Sequence, residues 1–241
     1  AILVQDMAVV EMMKEIAAET EMRGVSMPEL HASTQTDNRT AEKATWLSSI
    51  GFSRVVLARE LSIDEIKAIH KAVPQTELEV FVHGALCVCY SGACYASHHC
   101  FGRSANRGEC AQFCRLAFDL KDNRGDVIRK ASHLLSLKDM NQLDRLEDII
   151  DAGATSLKIE GRLKDAAYVK NVVAAYNQKL NDIIENNPGV YCRSSRGKSE
   201  YTFVPNLDKT FNRGFTHYFL DGRRDDISSF DTPKAMGEYV G

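Results

Sequence analysis

Six of the seven cysteines of this chain lie between Glu79 and Arg115. Four form a spaced set: Cys87, Cys94, Cys110 and Cys114 are separated by six, fifteen and three residues, with Cys89 and Cys100 between them. Sulfurs converging from separate turns can hold an iron-sulfur cluster or a structural zinc. Structural zinc usually draws on paired knuckles with very short gaps, and only Cys110-x-x-x-Cys114 resembles one, so zinc fits the spacing less well. Free cysteines also pack as small hydrophobes, and buried thiols that bind nothing remain an alternative. A disulfide framework is disfavoured by the odd count and by a chain long enough to bury its own core. Arg103, Arg107 and Arg115 flank the set against one acid, Glu109. Cationic neighbours lower thiol pKa values and offset a thiolate-ligated centre, whereas a solvated basic loop is the plainer reading.

The elements that position these residues follow from periodicity. Glu79-Val80-Phe81-Val82-His83 reads as a strand that stops at Gly84, and Gly92, Gly102 and Gly108 break the stretch that follows into loops and short turns. Upstream, Ala1 to Asp6 reads as a buried strand, Met7 to Met22 as a helix stopping at Gly24, and Glu29 to Ser33 as a strand. Thr40 to Ile50 is helical, Arg54 to Ala58 extended, and Ser62-Ile63-Asp64-Glu65 is a capping box opening a helix that closes before Pro74. Downstream, Asp139 is expected to cap a helix carrying Leu143, Leu146 and Ile150, and His133 to Leu137 is an ambiguous strand. Ser156 to Ile159 is the next strand, and a long helix runs from about Asp165 to Asn187. Alternating strands and helices predict a parallel sheet with helices outside it, and a doubly wound order stays open.

Composition bounds the function. At 241 residues and 44% apolar, the chain can bury a substantial core. A net charge of -3 argues against a globally basic nucleic-acid binder and leaves room for a local basic patch. No run reaches the length of a membrane span, and a chain that starts on a strand without Met or leader reads as beginning inside a fold. The expectation is a cytoplasmic protein with reduced thiols. Neither a His-Glu-x-x-His helix nor a Gly-x-Ser-x-Gly elbow occurs, although His83 and Cys87 leave a Cys-His nucleophile open.

Several segments together resemble the signature of peptidase family U32: His83-Gly84-Ala85-Leu86-Cys87, Tyr90-Ser91-Gly92-x-Cys94, Gly102-Arg103-Ser104-x-Asn106-Arg107-Gly108-x-Cys110 and Cys110-Ala111-Gln112-x-Cys114-Arg115. Leu135 to Asp139, Asp151 to Gly153, Lys158 to Arg162 and Phe211 to Phe215 agree with it in order. The resemblance implies a partial TIM-like (β/α) barrel lacking its first strands over residues 1–189, with a cysteine-rich insertion at 84–115. Residues 190–241 would be a linker and the start of a small β-rich domain, with Met236 to Val240 as its first strand. It further implies a [4Fe-4S] cluster on Cys87, Cys94, Cys110 and Cys114. RNA is the implied substrate, by hydroxylation of a 23S ribosomal RNA cytidine or a tRNA wobble uridine; collagenase-type peptidase activity is the alternative. Partner proteins for cluster delivery or oxygen insertion would fit that chemistry.

In a barrel, function gathers at the carboxyl ends of the strands. Those ends present Gln5 and Asp6, His31 and Gln35, Arg59 and Glu60, His83, then Glu160 and Arg162. His83, Glu160 and Arg162 are the catalytic candidates, and His31, Arg59, Glu60, Arg103, Asn106 and Arg107 the substrate-binding ones. Arginines there suit phosphates while the polar strand ends suit a base.

Overall fold

The computed structural model describes residues 1–21, 26–193, 196–229, 231, 232, 234 and 236. The expected helix stop at Gly24 and most of the expected strand from Met236 to Val240 lie outside them. The chain forms β1 (Ile2–Val4), α1 (Ala8–Glu21), β2 (Leu30–Ala32), α2 (Ala41–Ser49), β3 (Phe52–Val56), α3 (Ile63–Ala72) and β4 (Glu77–Ala85). After the cysteine region, which contains α4 (Ala96–Phe101), come β5 (Phe118–Lys121), β6 (Val127–Ser132), β7 (Asp139–Asn141) and α5 (Leu146–Asp151). The last elements are β8 (Ala154–Ile159), α6 (Ala166–Asn186) and β9 (Phe215–Thr216).

Local chemistry explains the helix starts. Thr40 accepts from the amide of Lys43, and Asp165 from that of Tyr168. Ser62 and Glu65 close the capping box in both directions, so orphan donors at the head of α3 are satisfied by side chains.

The main sheet runs β1-β2-β3-β4-β7-β9, with β8 also paired to β4. Neighbours from β1 through β4 are parallel, as are β4 and β8, while β7 runs antiparallel to the last residues of β4. Among the described residues the strands form an open path and close no ring. Alternation sorts the two faces. Val55, Leu78, Val80 and Val82 face the helices and join Leu47, Ile66, Ile69, Leu146, Ile149 and Val172 in the main core. Val56 and Phe81 join Leu86, Leu137, Met140 and Tyr218 in a second, smaller cluster. Beside Phe81 that second face is charged: Arg54 donates to Glu77 at 2.7 Å, and Glu79 accepts from Ser156 at 2.9 Å and pairs with Lys158 at 3.3 Å.

Some of these expectations need correction. Gly84 does not stop its strand; β4 continues through it to Ala85 with Gly84 at φ 110°, and a Cβ there would sit 2.2 Å from the Glu160 carbonyl oxygen. Asp139 caps no helix. It lies in β7, buried, and its carboxylate takes the Arg213 guanidinium at 3.0 Å, while α5 starts seven residues later at Leu146. His133 to Leu137 is turn rather than strand, apart from a bridge between Leu137 and Ser228. The β5–β6 hairpin forms a separate two-stranded sheet that the weak alternation of its sequence did not signal. Part of the segment expected as linker also returns to the main sheet, where β9 pairs with β7 and the Ser229 hydroxyl donates to Ser136 Oγ at 2.8 Å.

Candidate functional site

The cysteine excursion leaves β4 after Ala85 and reverses direction by left-handed residues. Ser91 (φ 49°) and Gln112 (φ 54°) adopt that region despite carrying side chains, and Gly102 and Gly108 adopt it freely. Polar side chains pin each turn. Buried Glu60 accepts from the Ser91 amide at 2.6 Å, Asn106 Oδ1 from the Cys94 amide at 3.2 Å, and Ser97 Oγ from the Ala111 amide at 3.1 Å. Arg115 ties the far end back to the sheet by donating to Ser136 Oγ at 3.1 Å, to the Leu137 carbonyl at 2.8 Å and to the Leu86 carbonyl.

This framework brings the expected thiols together. Cys87 feels the charge of Cys94 and Cys110, and Cys114 feels those of Cys87, Cys94 and Cys110. Burial pushes both thiols above the ordinary range, with Arg59 acting against the rise at Cys87 and Arg115 at Cys114. Cys89 joins them, against expectation: burial and a hydrogen bond with Cys94 push it up to about 12. Cys100 and Cys192 are exposed. The amide of Gln112 donates to Cys110 Sγ at 3.4 Å, the kind of bond that steadies sulfur charge. Among the described residues no three His, Cys, Asp or Glu side chains converge tightly enough to hold a single metal ion. A lone zinc needs four sulfurs about 2.3 Å from one point, whereas a multi-iron cluster holds its thiolates apart by its own width.

Against this framework lies a cavity of about 440 Å³. Its walls are the strand ends, through Gln5, Ser33 to Gln35, Arg59 and Lys158 to Arg162, and the cysteine loop, through Ala105, Asn106 and Gly108; Phe81 lines it as well. Of the expected residues, Arg59, Asn106, Glu160 and Arg162 line it together. Glu60 is buried and holds the Ser91 turn instead, and His31, on β2, lies 3.4 Å from Glu29 and outside the cavity lining. Arg103 and Arg107 are exposed on the loop. His83 is buried among Tyr168, Tyr176 and Phe215, and desolvation lowers its pKa to about 4. The sequence reading missed Lys158 and Phe81, whose alternation with Leu157 and Val82 places them on the face away from the helices. A larger cavity, about 680 Å³, lies between β7, β9 and α6; its Arg224 is paired with Asp226 and its His217 with Asp144.

Comparison with known proteins finds a family and several relatives. The description "Peptidase family U32" matches residues 1–229. The whole chain is 52% identical to the 23S rRNA 5-hydroxycytidine synthase of Escherichia coli (strain K12), of which it spans 35%. It is 32% identical over 92% of its length to tRNA hydroxylation protein P1 of Bacillus subtilis (strain 168), and 33% identical over 81% to a collagenase of Porphyromonas gingivalis. These cover 50% and 48% of those two relatives, so the chain spans between a third and a half of the length of these three proteins. No solved structure matches it. The match along nearly the whole chain places this protein in peptidase family U32.

Proposed function

We propose that this chain carries the centre of an RNA-base hydroxylation protein acting on a cytidine of 23S ribosomal RNA. The observation that carries the reading is the contact between two features: a four-thiol set and a polar cavity that share the loop from Cys94 to Cys110. Cys87, Cys94, Cys110 and Cys114 would hold a [4Fe-4S] cluster, which when bound supplies one-electron chemistry. The chain's own residues do the rest. Asn106 holds the Cys94 amide and lines the cavity, so one side chain couples the geometry of the two. Gln5, Gln35 and Asn106 offer paired donors and acceptors to the edge of a base withdrawn from its stack, and Glu160 can accept a proton or an exocyclic amine there. Buried Phe81 adds one apolar ring to an otherwise polar lining.

The open run of parallel strands is what a segment of a (β/α) barrel would contribute, with the site at the carboxyl ends. No helix among the described residues is long and apolar enough to cross a membrane, and an RNA substrate suits a cytoplasmic protein. Partner proteins for cluster delivery or oxygen insertion remain part of the proposal. A tRNA substrate is the second reading, supported by the similarity to the tRNA hydroxylation proteins. The peptidase reading has weaker support, because His83 is held by aromatic rings and Tyr176 rather than by a cysteine.

Mass spectrometry of nucleosides from ribosomal RNA and tRNA of a deletion strain tests the reading. Loss of 5-hydroxycytidine from ribosomal RNA, restored by the full-length gene, is the expected result. Loss of a tRNA hydroxyuridine alone would move the substrate to tRNA, and intact modification with gelatin cleavage by the purified protein would favour the peptidase.

A further inference from the structure

We infer that Arg59 and Lys158, both set over the ring of Phe81, form with Arg162 an anion seat that takes a phosphate of the nucleotide entering the cavity. This rests on the RNA reading above and adds the residues that would grip the backbone.

The Arg59 guanidinium lies 4.0 Å from the Phe81 ring centroid and the Lys158 ammonium 5.0 Å from it. The ring's negative face attracts each cation, yet two like charges beside one buried ring repel each other unless an anion balances them. Lys158 has such a partner in Glu79, at 3.3 Å, but Glu79 is shared with Arg54 at 3.4 Å. Arg59 makes no ion pair among the described residues, and its Nε is buried without a hydrogen-bond partner. Arg59 as a whole is only half-buried and lines the cavity, so its charge is open to an anion there. Gly92 leaves the guanidinium its room from the loop side, since a Cβ there would lie 3.3 Å from Arg59 Nη1.

Arg162 closes the other wall. Its Nη1 would lie 3.1 Å from a Cβ on Gly108, so the glycine leaves the guanidinium its room, and it too makes no ion pair among the described residues. Three cations and one carboxylate, Glu160, therefore line the cavity, which gives it a positive field in a chain of net charge -3. Guanidinium forks match phosphate oxygens two at a time. The carboxamides of Gln5, Gln35 and Asn106 in the same cavity favour an anion that carries a base over a free one.

Titration calorimetry of the 241-residue chain with cytidine 5′-monophosphate, cytidine and inorganic phosphate tests the seat. The monophosphate should bind at least tenfold more tightly than either of the others, and the advantage should shrink as salt rises. Arg59→Gln and Arg162→Gln should each lose most of that advantage while cytidine affinity stays within twofold. Arg59→Lys should recover part of it, and an unchanged circular dichroism spectrum and urea midpoint identify folded variants. Equal affinity for cytidine and its monophosphate overturns the seat, as does full monophosphate affinity in folded Arg59→Gln. Phosphate binding as tightly as the monophosphate overturns the nucleotide assignment. The assay reads no hydroxylation, so the two proposals fail separately. Phosphate-blind binding beside a lost RNA modification in the deletion strain removes the seat alone. Phosphate-dependent binding beside intact RNA modification removes the RNA reading and with it the source of the phosphate.

Discussion

At the residue scale, the thiols divide by what surrounds them. Cys87 and Cys114 sense the other thiols of the expected set and Cys89 senses Cys87, Cys94 and Cys114, whereas Cys110 is exposed, as are Cys100 and Cys192. In anaerobically purified protein, Cys→Ser at any of the four should remove most of the bound iron and sulfide, and Cys100→Ser or Cys192→Ser should leave both at the parental level. Cys89→Ser should also keep the cluster, although the thiol hydrogen-bonds with Cys94; full iron content in Cys110→Ser would remove that residue from the set. His83 yields a pH prediction instead. Burial lowers its pKa from 6.5 to about 4, offset in part by a hydrogen bond with Asn141, so the unfolded chain takes up the proton first. The contribution is complete above pH 6.5 and is lost as pH falls toward 4, reaching about 2 kcal/mol by pH 5. Urea unfolding at pH 7 and pH 5 should show that loss in the parent and a smaller one in His83→Gln. Equal losses in both would place the acid sensitivity elsewhere. The grouping of the cysteines was readable because they lie in one short stretch of the sequence. Lys158 was not, because its importance comes from Phe81 and Arg59 across two neighbouring strands.

Glycine conformations decide the prediction at the element scale. Gly84 lets β4 run past its neighbour β8 with the Glu160 carbonyl against its Cα, at a φ that side chains rarely adopt. Gly84→Ala should cost about 3 kcal/mol or more, combining backbone strain with a clash against rigid backbone. Gly102→Ala meets nothing within 4 Å and bears the left-handed penalty alone, about 1 kcal/mol. Thermal or urea unfolding compares them, and similar losses in the two would contradict the close approach of β4 and β8. The helices α2, α3 and α6 were legible from caps and periodicity, since those signals are local. Asp139 was misread because a short acid before an apolar run looks like a cap, and its true partner, Arg213, lies far along the sequence. The strand break at Gly84 was misread for a related reason: positive φ ends most strands, and only the Glu160 loop explains why this one continues.

At the scale of the whole molecule, the sheet serves as the plate on which cysteine loop and cavity meet. β4 joins both halves: it pairs with β3, β7 and β8 and launches the excursion that carries the thiols. The parallel α/β class was legible from the order of elements, and the return of β9 to the sheet was not, because a two-residue strand carries no periodicity. The central claim is that thiols and cavity act together on RNA. The most direct measurement is the 5-hydroxycytidine level in 23S ribosomal RNA from a deletion strain carrying the full-length gene as parent, Cys110→Ser or Glu160→Gln, with protein levels matched by immunoblot. The account predicts full modification with the parent, less than a tenth of it with Cys110→Ser, and a reduction of at least fivefold with Glu160→Gln. Parental levels of 5-hydroxycytidine in both variants would contradict it.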